Sequence, residues 1–504
     1  MKHTAACLAL LLLSGCMVGP NYTRPPPATD PTPTYKEAVY QEVEGVAFRP
    51  ALPRDTLDRG TWWTIYGDTT LDHLMAEVDV SNQTLKENEA AYRQAVALIR
   101  QSQSALYPTV GYTGSVTQNS SSGGRVSGNG LVTSGGNSFG EYSIGSTLSW
   151  EIDVWGRIRR TIESDAAAAQ ASAADLASAR LSIQSSLATS YFSLRISDER
   201  LSLYRQSVAA YQRSLDIVRN QMNAGTASRL DLAQAQSQLE QTRALYAAEG
   251  ANRAQFEHAV AALVGKMPAE VSIETAPTPR NVPMFDAGAP TLLLERRPDI
   301  ASAERQMQSA NAQIGVAQAA YYPDFTFNAS INFLSTTLSK LLQISSAVWS
   351  LGPQFAGTLI DGGGRAAQVE GAKANYDKVV ATYRQTVLTA FQQVEDALAQ
   401  QRYFAAQEVI QRRAVAAARE AEELSLNQYQ AGTVAYTTVV TAQTTSLSTQ
   451  QTLINIRLSR FTAAATLVTA LGGGWRDTDI PAIMPTMPAA LPKPSPVKKG
   501  WWPF

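Results

Sequence analysis

Cysteine and histidine are scarce in this chain of 504 residues. The two cysteines are Cys7 and Cys16, and the three histidines are His3, His73 and His258. Zinc sites, Cys–His nucleophile pairs and disulfide frameworks each need several such side chains close together, so the sequence predicts none of them. We expect no metal site and no other cofactor.

Net charge is nearly absent as well, because 42 Lys and Arg residues face 43 Asp and Glu residues. A protein held to nucleic acid by bulk charge carries a large positive excess, so no nucleic-acid partner is predicted. Charged residues make up 17% of the chain and apolar residues 44%, which suits a folded protein with unusually neutral surfaces. The sequence also lacks a phosphate-binding loop motif.

The first residues are typical of an export signal. Lys2 precedes an apolar run over residues 5–13, which is too short to span a bilayer. A Leu-Ser-Gly-Cys motif then ends at Cys16, as in a bacterial lipobox, where the cysteine becomes the lipidated first residue. We predict a lipoprotein signal peptide over residues 1–15 and lipidation of Cys16; an ordinary signal peptide with an incidental cysteine is the alternative. Because Met17 rather than aspartate follows, lipoprotein sorting implies the outer membrane.

Proline-rich segments flank the body of the chain. We interpret residues 16–60 as a lipidated, extended N-terminal tether. Residues 476–504 form a Pro-rich C-terminal tail that ends in the aromatic sequence Trp501-Trp502-Pro503-Phe504, and we expect this tail to have no core of its own.

The body is an internal duplication. The segment Asn-Gln-Met-Asn-Ala-Gly-Thr at 220–226 recurs as Asn-Gln-Tyr-Gln-Ala-Gly-Thr at 427–433, an offset of 207 residues (431 − 224). Three further pairs occur in the same order in the two halves: Leu106-Tyr107-Pro108 with Tyr321-Tyr322-Pro323, Ala235-Gln236 with Ala442-Gln443, and Ala262-Leu263-Val264-Gly265 with Ala470-Leu471-Gly472-Gly473. Ordered matches of this kind indicate a repeat. We predict a first repeat over residues 61–270, a linker over 271–297 and a second repeat over 298–475.

Each repeat contains a long stretch of helix-forming residues. No glycine lies between Gly156 and Gly225, and the residues between them predict one helix from Arg157 to Met222, about 100 Å long at 1.5 Å per residue. Its apolar residues follow the three- and four-residue steps of a coiled-coil seam, interrupted at Asp198. A second long helix is expected before Gly432, and shorter helices are expected at about 71–106, 228–265, 299–321 and 435–470.

Four segments between the helices have the two-residue period of a strand. Apolar side chains alternate with small polar ones, and the apolar sets are Val110, Tyr112 and Val116; Tyr142, Ile144, Leu148, Trp150 and Ile152; Phe325, Phe327, Ala329, Ile331 and Phe333; and Trp349, Leu351, Phe355 and Leu359. A tilted membrane strand needs about 9–11 residues, and each segment is close to that length. A soluble sandwich is the alternative, but no further strand-like segments exist to build its opposing sheet.

Four strands cannot close a barrel, and an open sheet edge cannot be left in lipid. Two copies would give a narrow pore filled by side chains, whereas three copies give twelve strands, an even number within the range of membrane barrels. The predicted fold class is therefore mixed α and membrane β. Three chains would form a trimeric twelve-stranded barrel, four strands per chain, from which the long helices project.

The chain resembles the TolC-like outer-membrane efflux proteins, specifically their NodT-like lipoprotein branch. The resemblance runs from Cys16 to Trp475 and rests on an ordered set of motifs: Val18-Gly19-Pro20-Asn21-Tyr22, Trp62-Trp63, Tyr66-Gly67-Asp68, Arg296-Arg297-Pro298-Asp299-Ile300, Asn311-Ala312-Gln313-Ile314-Gly315-Val316-Ala317, Tyr322-Pro323 and Leu471-Gly472-Gly473-Gly474-Trp475. It implies a homotrimer in contact with outer-membrane lipid, in which the twelve-stranded barrel is continued by a long periplasmic α-helical coiled-coil barrel. It also implies a passive exit duct, not an enzyme, that joins a periplasmic adaptor and an inner-membrane RND-type pump.

The resemblance also implies which residues dock the adaptor. The turns Ala224-Gly225-Thr226 and Ala431-Gly432-Thr433 match the helix tips that meet the adaptor in relatives. The alternative is that these turns merely end the helices.

The gate is expected near the same tips. Asp231 and Tyr429 match positions whose hydrogen bonds hold relatives shut, and Val434 replaces an arginine of some relatives. Thr438 and Thr441 stand where relatives often have aspartates. A ring of aspartates favours cations and threonines do not, so we hypothesise weak cation selectivity. The alternative is that the two threonines face a neighbouring helix.

The exported substrate is the least determined property. Methionines are scattered rather than clustered, at positions that include Met75, Met222, Met307 and Met484, which favours organic compounds over copper or silver as the cargo. A copper or silver duct is kept as the alternative. Two other classes are a non-channel coiled-coil lipoprotein and a carboxylate hydrolase built on Glu151 and Asp153, although these two acids also suit a polar rim below a barrel.

Overall fold

The computed structural model describes residues 17–26, 35–38, 41–43, 46–48, 61–121, 137–279, 282, 296–476 and 479–481. Cys16, the predicted signal peptide and the aromatic end of the C-terminal tail lie outside the described residues. The helices are α1 (Thr69–Ser81), α2 (Gln83–Ser104), α3 (Arg157–Asn223), α4 (Arg229–Leu263), α5 (Pro298–Ala319), α6 (Gly364–Gln430) and α7 (Tyr436–Ala470). The strands are β1 (Gln41–Val43), β2 (Val46–Phe48), β3 (Thr109–Ser121), β4 (Asn137–Ile152), β5 (Asp324–Ser335) and β6 (Ala347–Ala356).

The duplication is confirmed by the lengths of the helices. α3 and α6 each contain 67 residues, and α6 begins 207 residues after α3 (364 − 157). α4 and α7 each contain 35 residues and keep the same offset (436 − 229). Both long helices follow a glycine with positive φ, at Gly156 and Gly363, where a side chain would be strained.

The single helix expected over residues 71–106 is instead two helices, α1 and α2. The break lies at Asn82, whose backbone is extended and whose side chain accepts a hydrogen bond from Leu85 N at 2.9 Å. Its Nδ2 also donates to the carbonyl oxygen of Leu263 at 2.6 Å. Asparagine side chains compete with the backbone for such bonds and favour helix starts, which is why the helical pattern is interrupted here.

The long helix α3 is the centre of the packing and lies against α2, α4, α5 and α7. Most of the predicted seam is buried, including Leu187, Tyr191, Leu194, Tyr204, Tyr211, Leu215 and Val218. Asp198, where the seam is interrupted, is buried too: it accepts hydrogen bonds from Arg253 Nε at 2.7 Å and Arg195 Nη1 at 3.4 Å. The interruption is therefore an ionic cluster that joins α3 to α4. No helix in the described ranges is both long enough and apolar enough to cross a bilayer.

Strands β3 to β6 form one antiparallel sheet in chain order. The register aligns Val110 with Leu148, Leu148 with Ala329, and Ala329 with Leu351, so the predicted apolar sets of the four strands share one face. β6 ends at Ala356, and Leu359 is therefore outside the strand that was expected to contain it. The outer edges of β3 and β6 have no partner strand among the described residues.

Candidate functional site

The face of the sheet opposite the apolar one is lined by small, neutral hydrogen-bonding groups. The hydroxyls of Ser115 and Ser143 lie 2.8 Å apart, as do those of Ser330 and Ser350. Asn328 Nδ2 donates to the Gln354 side chain at 3.0 Å. A surface of this kind bonds water without attracting ions of one sign. It has the chemistry of an aqueous pore wall, while the opposite face has that of a lipid contact.

Charges on this polar face are confined to the ends of the described strands. Glu141 lies towards the loop end, and Glu151 and Asp324 lie at the end joined to the helices. Glu151 is bonded by the guanidinium of Arg157 at 2.5 Å, and this bond raises the pKa of that arginine.

The carboxylate of Asp153 is hydrogen-bonded to the start of α3. It accepts from Ile158 N at 3.1 Å and from Arg159 N at 3.0 Å. Two carboxylates that are both engaged in structural bonds are not free to act as an acid–base pair. Glu151 and Asp153 thus form a polar rim rather than a hydrolase site.

Aromatic side chains form a belt at the helical end of the sheet. The ring of Trp155 stacks on that of Tyr322, with centroids 4.6 Å apart, and its Nε1 donates to the carbonyl of Pro323 at 2.9 Å. Trp150 Nε1 donates to the carbonyl of Leu106 at 2.9 Å. Rings with one apolar side and one bonded polar atom are characteristic of the boundary between membrane and water.

The segment Val18 to Tyr22 docks beside this belt. Arg160, which is fully buried, donates to the carbonyl oxygens of Val18 and Gly19 at 3.1 Å each and to Asn21 Oδ1 at 2.9 Å. Asn311 Nδ2 donates to the carbonyl of Pro20 at 2.9 Å. The start of the predicted tether is therefore a fixed contact with α3 and α5, which we call the N-terminal clasp.

Sequence reasoning missed Arg160 and Asn311 as partners of this segment. A signal was available, because Arg157, Arg159 and Arg160 lie in the first turn of α3, where the helix dipole disfavours cations. Three arginines at such a position indicate that bonded partners exist nearby. The motifs around Gly19 and Asn311 are visible in the sequence, but the contact between them joins residues about 290 positions apart.

The two predicted docking turns have nearly the same geometry. After α3, Gly225 has φ +79° and Thr226 N donates back to the Gln221 carbonyl at 2.9 Å. After α6, Gly432 has φ +75° and Thr433 N donates to Gln428 O at 3.0 Å. These are glycine-terminated helix ends, and Ala224 and Ala431 are the last residues before each glycine. A Cβ on either glycine would meet open space, so the left-handed backbone rather than crowding requires glycine there.

The predicted gate residues lie in different surroundings. Asp231 forms a capping box at the start of α4, accepting from Ser228 N at 3.0 Å while its own N donates to Ser228 Oγ at 3.1 Å. Tyr429 packs edge-on against Tyr436, with ring centroids 5.0 Å apart. Burial, followed by the nearby Asp231 charge, raises the pKa of Tyr429, and burial raises the pKa of Tyr436 to about 12.

Thr438 and Thr441 line the same groove, but Tyr429 does not line it. Both are exposed and line a groove of about 560 Å³ between α6 and α7, with Gln428 on its wall. The groove contains no charged side chain. Thr441 Oγ1 donates to the Thr437 carbonyl in its own helix at 2.9 Å.

Hydrogen bonds that join the two halves near the tips were not predicted. Tyr211 OH donates to the Gln443 carbonyl at 3.0 Å, and Gln443 Nε2 donates to Ser214 Oγ at 3.1 Å. These bonds connect α3 to α7 on the side of the two tips that faces the sheet. The recurrence of Ala-Gln at 442–443 was the available signal for this contact.

A sheet with one apolar and one neutral polar face, continued by helices of about 100 Å, defines a membrane channel with a helical extension. Among the described residues, no group of three or more His, Cys, Asp or Glu side chains is arranged to hold a metal ion.

The family model for outer membrane efflux proteins matches residues 74–266 and 289–473. The chain belongs to the outer membrane efflux protein family. Its relatives include the cation efflux system protein CusC of Escherichia coli, 28% identical over 473 residues, which cover 93% of this chain and 98% of CusC. The probable efflux pump outer membrane protein TtgC of Pseudomonas putida is 30% identical over 471 residues, covering 92% of this chain and 94% of TtgC.

Solved structures agree with this assignment. The outer-membrane channel OprN superimposes with a TM-score of 0.80 at 27% identity, covering 91% of this chain and all of OprN. The predicted fold class is confirmed, with four membrane strands per chain, long helices and an internal duplication. The chain is an outer-membrane efflux channel and not an enzyme, which confirms the predicted function and excludes the coiled-coil lipoprotein without a channel.

Proposed function

We propose that three copies of this chain form the exit duct of a tripartite efflux pump, which carries organic compounds from an inner-membrane RND-type transporter across the outer membrane. The observation that carries the proposal is the register of β3 to β6. It places apolar side chains on one face and neutral polar ones on the other, and it leaves two strand edges open. Such edges are not stable in lipid, so β6 of one copy pairs with β3 of the next until the barrel closes.

Three copies are the number that fits best. Twelve strands lie within the range of membrane barrels, and the polar face then encloses water. Eight strands, from two copies, enclose little more than their own side chains. Chemical cross-linking of the protein in membranes tests this number: a ladder that ends at the trimer is expected, and one that ends at the dimer would contradict the proposal.

The helix tips around Gly225 and Gly432 dock the periplasmic adaptor. Both turns are exposed and hydrogen-bonded within themselves, and the equal lengths of α3 and α6 support tips that end at a similar level. Replacing Ala224 and Ala431 with bulky residues should abolish complementation of efflux while leaving the protein in the membrane. Unchanged efflux would contradict docking at the tips.

The gate is formed near these tips by Asp231, Tyr429, Thr438 and Thr441. Its support is the packing of Tyr429 beside Tyr436 and the uncharged groove that the two threonines line. The Asp231 carboxylate is engaged in its capping box and the groove of the two threonines is uncharged, so the gate closes by packing and hydrogen bonds rather than by an acidic ring, and we expect weak cation selectivity.

Lipid is attached at Cys16. Met17 lies against Gly156, and Val18 N donates to the Trp155 carbonyl at 3.1 Å, so the residues that follow Cys16 lie beside the aromatic belt, which supports an anchor at that level. An acyl chain that starts there enters the membrane directly. Mass spectrometry of the mature N-terminal peptide tests the proposal: the lipid mass should be present, and it should be lost in Cys16→Ser.

Organic compounds are the favoured cargo because the polar face presents hydroxyl and amide groups, which bond uncharged solutes as well as water. Met75 and Met307, which could have served copper, are fully buried in separate apolar cores. Copper or silver remains a second candidate because CusC, 28% identical, is named a cation efflux protein.

Deletion of the gene and complementation test the cargo. Sensitivity of the deletion strain to antibiotics, dyes and detergents supports organic efflux, and sensitivity to copper and silver salts alone supports the metal duct. Single-channel conductance of the purified protein in planar bilayers tests the duct itself, since a protein that forms no conducting pore would contradict it.

A further inference from the structure

The connection between β5 and β6 carries an apolar surface that the proposed function does not yet use. Residues 336–346 join the two strands at the end of the sheet opposite the helices. Within this loop, Leu338, Leu342 and Ile344 are 63%, 74% and 92% exposed. Leaving apolar area in water costs about 25 cal/mol per Å², so a surface of three large aliphatic side chains is expected to be covered in the assembled protein.

The loop holds these side chains on a hydrogen-bonded frame. It contains two 3-10 turns, Leu338–Lys340 and Ile344–Ser346. Lys340 N donates to the Thr337 carbonyl at 3.0 Å, and Ser346 Oγ donates to the Lys340 carbonyl at 2.9 Å. The exposed aliphatic groups are therefore held by a hydrogen-bonded turn.

The sheet shows towards which side the apolar surface extends. On the polar face, the positions of β5 and β6 next to the loop are Leu334, opposite Ser143, and Val348, opposite Asn332. Farther from the loop, the same face of these strands carries Thr, Asn, Ser, Gly and Gln, and it ends beside the helices with Asp324 and Ala356. On β5 and β6 the pore-facing side thus turns from polar to apolar where the loop begins, while β4 keeps Glu141 on the same face at this end, and the loop continues the change from its own two strands.

The position of the loop also identifies what covers it. β6 is an edge strand, so in a closed barrel the loop stands beside the junction with the next copy. The loop contains one cation, Lys340, and no acid, so it offers no ion pair to a basic partner. The same loop from a neighbouring copy presents the same aliphatic groups at the same height.

We propose that the three β5–β6 loops meet around the axis of the duct and form an apolar collar at its outer mouth, built from Leu334, Leu338, Leu342, Ile344 and Val348. This proposal rests on the three-chain barrel proposed above. A ring of aliphatic side chains in a narrow opening excludes water and hinders ions, as in channels that close by dewetting. Organic solutes pass it more easily because they gain apolar contact, so the collar would restrict inward leakage without stopping export.

Cysteine cross-linking tests the collar in the full-length protein. Cys7 lies in the predicted signal peptide and Cys16 is the proposed site of lipidation, so neither leaves a free thiol in the mature protein and a single new thiol reports its own position. Leu342→Cys and Ile344→Cys should form disulfide-linked dimers under mild oxidation in cells. Trp349→Cys, exposed on the apolar face of β6, is the matched control and should not. Absence of cross-links at both loop positions, with labelling of Leu342→Cys by a membrane-soluble maleimide, would overturn the collar and place the loop in lipid.

Conductance gives a second readout. Replacing Leu338, Leu342 and Ile344 together with serine should raise the single-channel conductance and increase the uptake of large antibiotics that normally do not enter. A triple variant with the conductance of the unmodified protein would overturn the collar while leaving the duct intact. If the unmodified protein itself forms no pore, the proposed function fails instead, so the two failures are distinguishable.

Discussion

Gly19 and Gly315 approach so closely that a Cβ atom on Gly19 would lie 2.4 Å from the Cα of Gly315. The contact belongs to the N-terminal clasp, in which Arg160 bonds the carbonyl oxygens of Val18 and Gly19. Space for the N-terminal segment on α5 therefore exists only because Gly315 has no side chain.

A first prediction follows for Gly315→Ala. Its Cβ would meet the Val18 carbonyl oxygen at 2.9 Å and the Arg160 side chain at 3.0 Å, so the segment must shift. We expect a loss of about 1–3 kcal/mol in the free energy of unfolding, as for other overpacked sites. Thermal unfolding followed by circular dichroism measures it. Gly250→Ala, in open space on α4, is the control and should stabilise by about 0.5–1 kcal/mol; equal effects of the two would contradict the clasp.

A second prediction concerns the buried carboxylate of Asp198. Asp198→Ala leaves Arg253 and Arg195 without their shared acid, and breaking a buried pair in this way costs about 3–5 kcal/mol. Asp216→Ala removes an exposed pair with Arg219 and should cost less than about 1 kcal/mol. Denaturant unfolding of both variants checks the contrast, and a similar small loss in both would show that the cluster does not hold α3 to α4.

The third prediction uses the hydroxyl of Tyr429, which is buried and has no hydrogen-bond partner among the described residues. Within one chain, Tyr429→Phe should therefore leave the unfolding temperature unchanged or slightly raised. If the gate proposal holds, loss of the hydroxyl alters the packing of Tyr429 against Tyr436 that supports the shut duct, and the variant should open more often in bilayer recordings. An unchanged open probability would remove Tyr429 from the gate.

Ion selectivity gives the fourth prediction. Thr441→Asp places a carboxylate in the uncharged groove beside Gln428 and Thr438, and three copies would make an acidic ring. Cation selectivity should rise, because charge that lines a constriction favours the opposite ion. Reversal potentials in a salt gradient measure the shift, and Thr441→Asn is the neutral control. Unchanged reversal potentials in Thr441→Asp would mean that position 441 does not line the pore.

The fifth prediction is a pH dependence at Glu422. Burial raises the pKa of this carboxyl above its usual value, against the opposing effects of Ser446 and Arg419. The folded state therefore holds its proton more tightly than the unfolded state does. Its contribution to stability is present below the unfolded pKa and is lost as pH rises through the folded pKa.

Glu422→Gln removes this dependence. The variant should unfold at a higher temperature than the unmodified protein at neutral pH, and the difference should vanish in acid. Glu423→Gln, at the exposed neighbouring position, should show neither effect. A difference between Glu422→Gln and the unmodified protein that persists at low pH would assign it to packing rather than to charge.

Local periodicity was enough to predict the parts of the fold that repeat along the chain. The apolar sets of the strands fall on one face because a strand alternates its side chains whatever it pairs with. The long helix expected from Arg157 to Met222 runs to Asn223, since the glycines that bound it act within a few residues.

Contacts between distant residues could not be predicted in this way. In the sequence, Asp198 is only an interruption of the seam, because its partner Arg253 lies 55 positions away on another helix. Tyr211 and Gln443 are 232 positions apart, and Arg160 reaches 142 positions back to Val18. Such pairs depend on how the helices are placed relative to one another, and the periodicity of the sequence does not determine that placement.

Because the edges of β3 and β6 are open, the stability of this protein also depends on its concentration. In the part of the chain that the structure describes, the sheet is incomplete on both sides, so its strands gain their last hydrogen bonds only when other copies arrive. Dilution in detergent should then lower the apparent unfolding temperature, as for other obligate oligomers. In the cell, newly exported chains must find one another before their strands are secure, which makes the rate of supply to the membrane a determinant of the yield of finished channels.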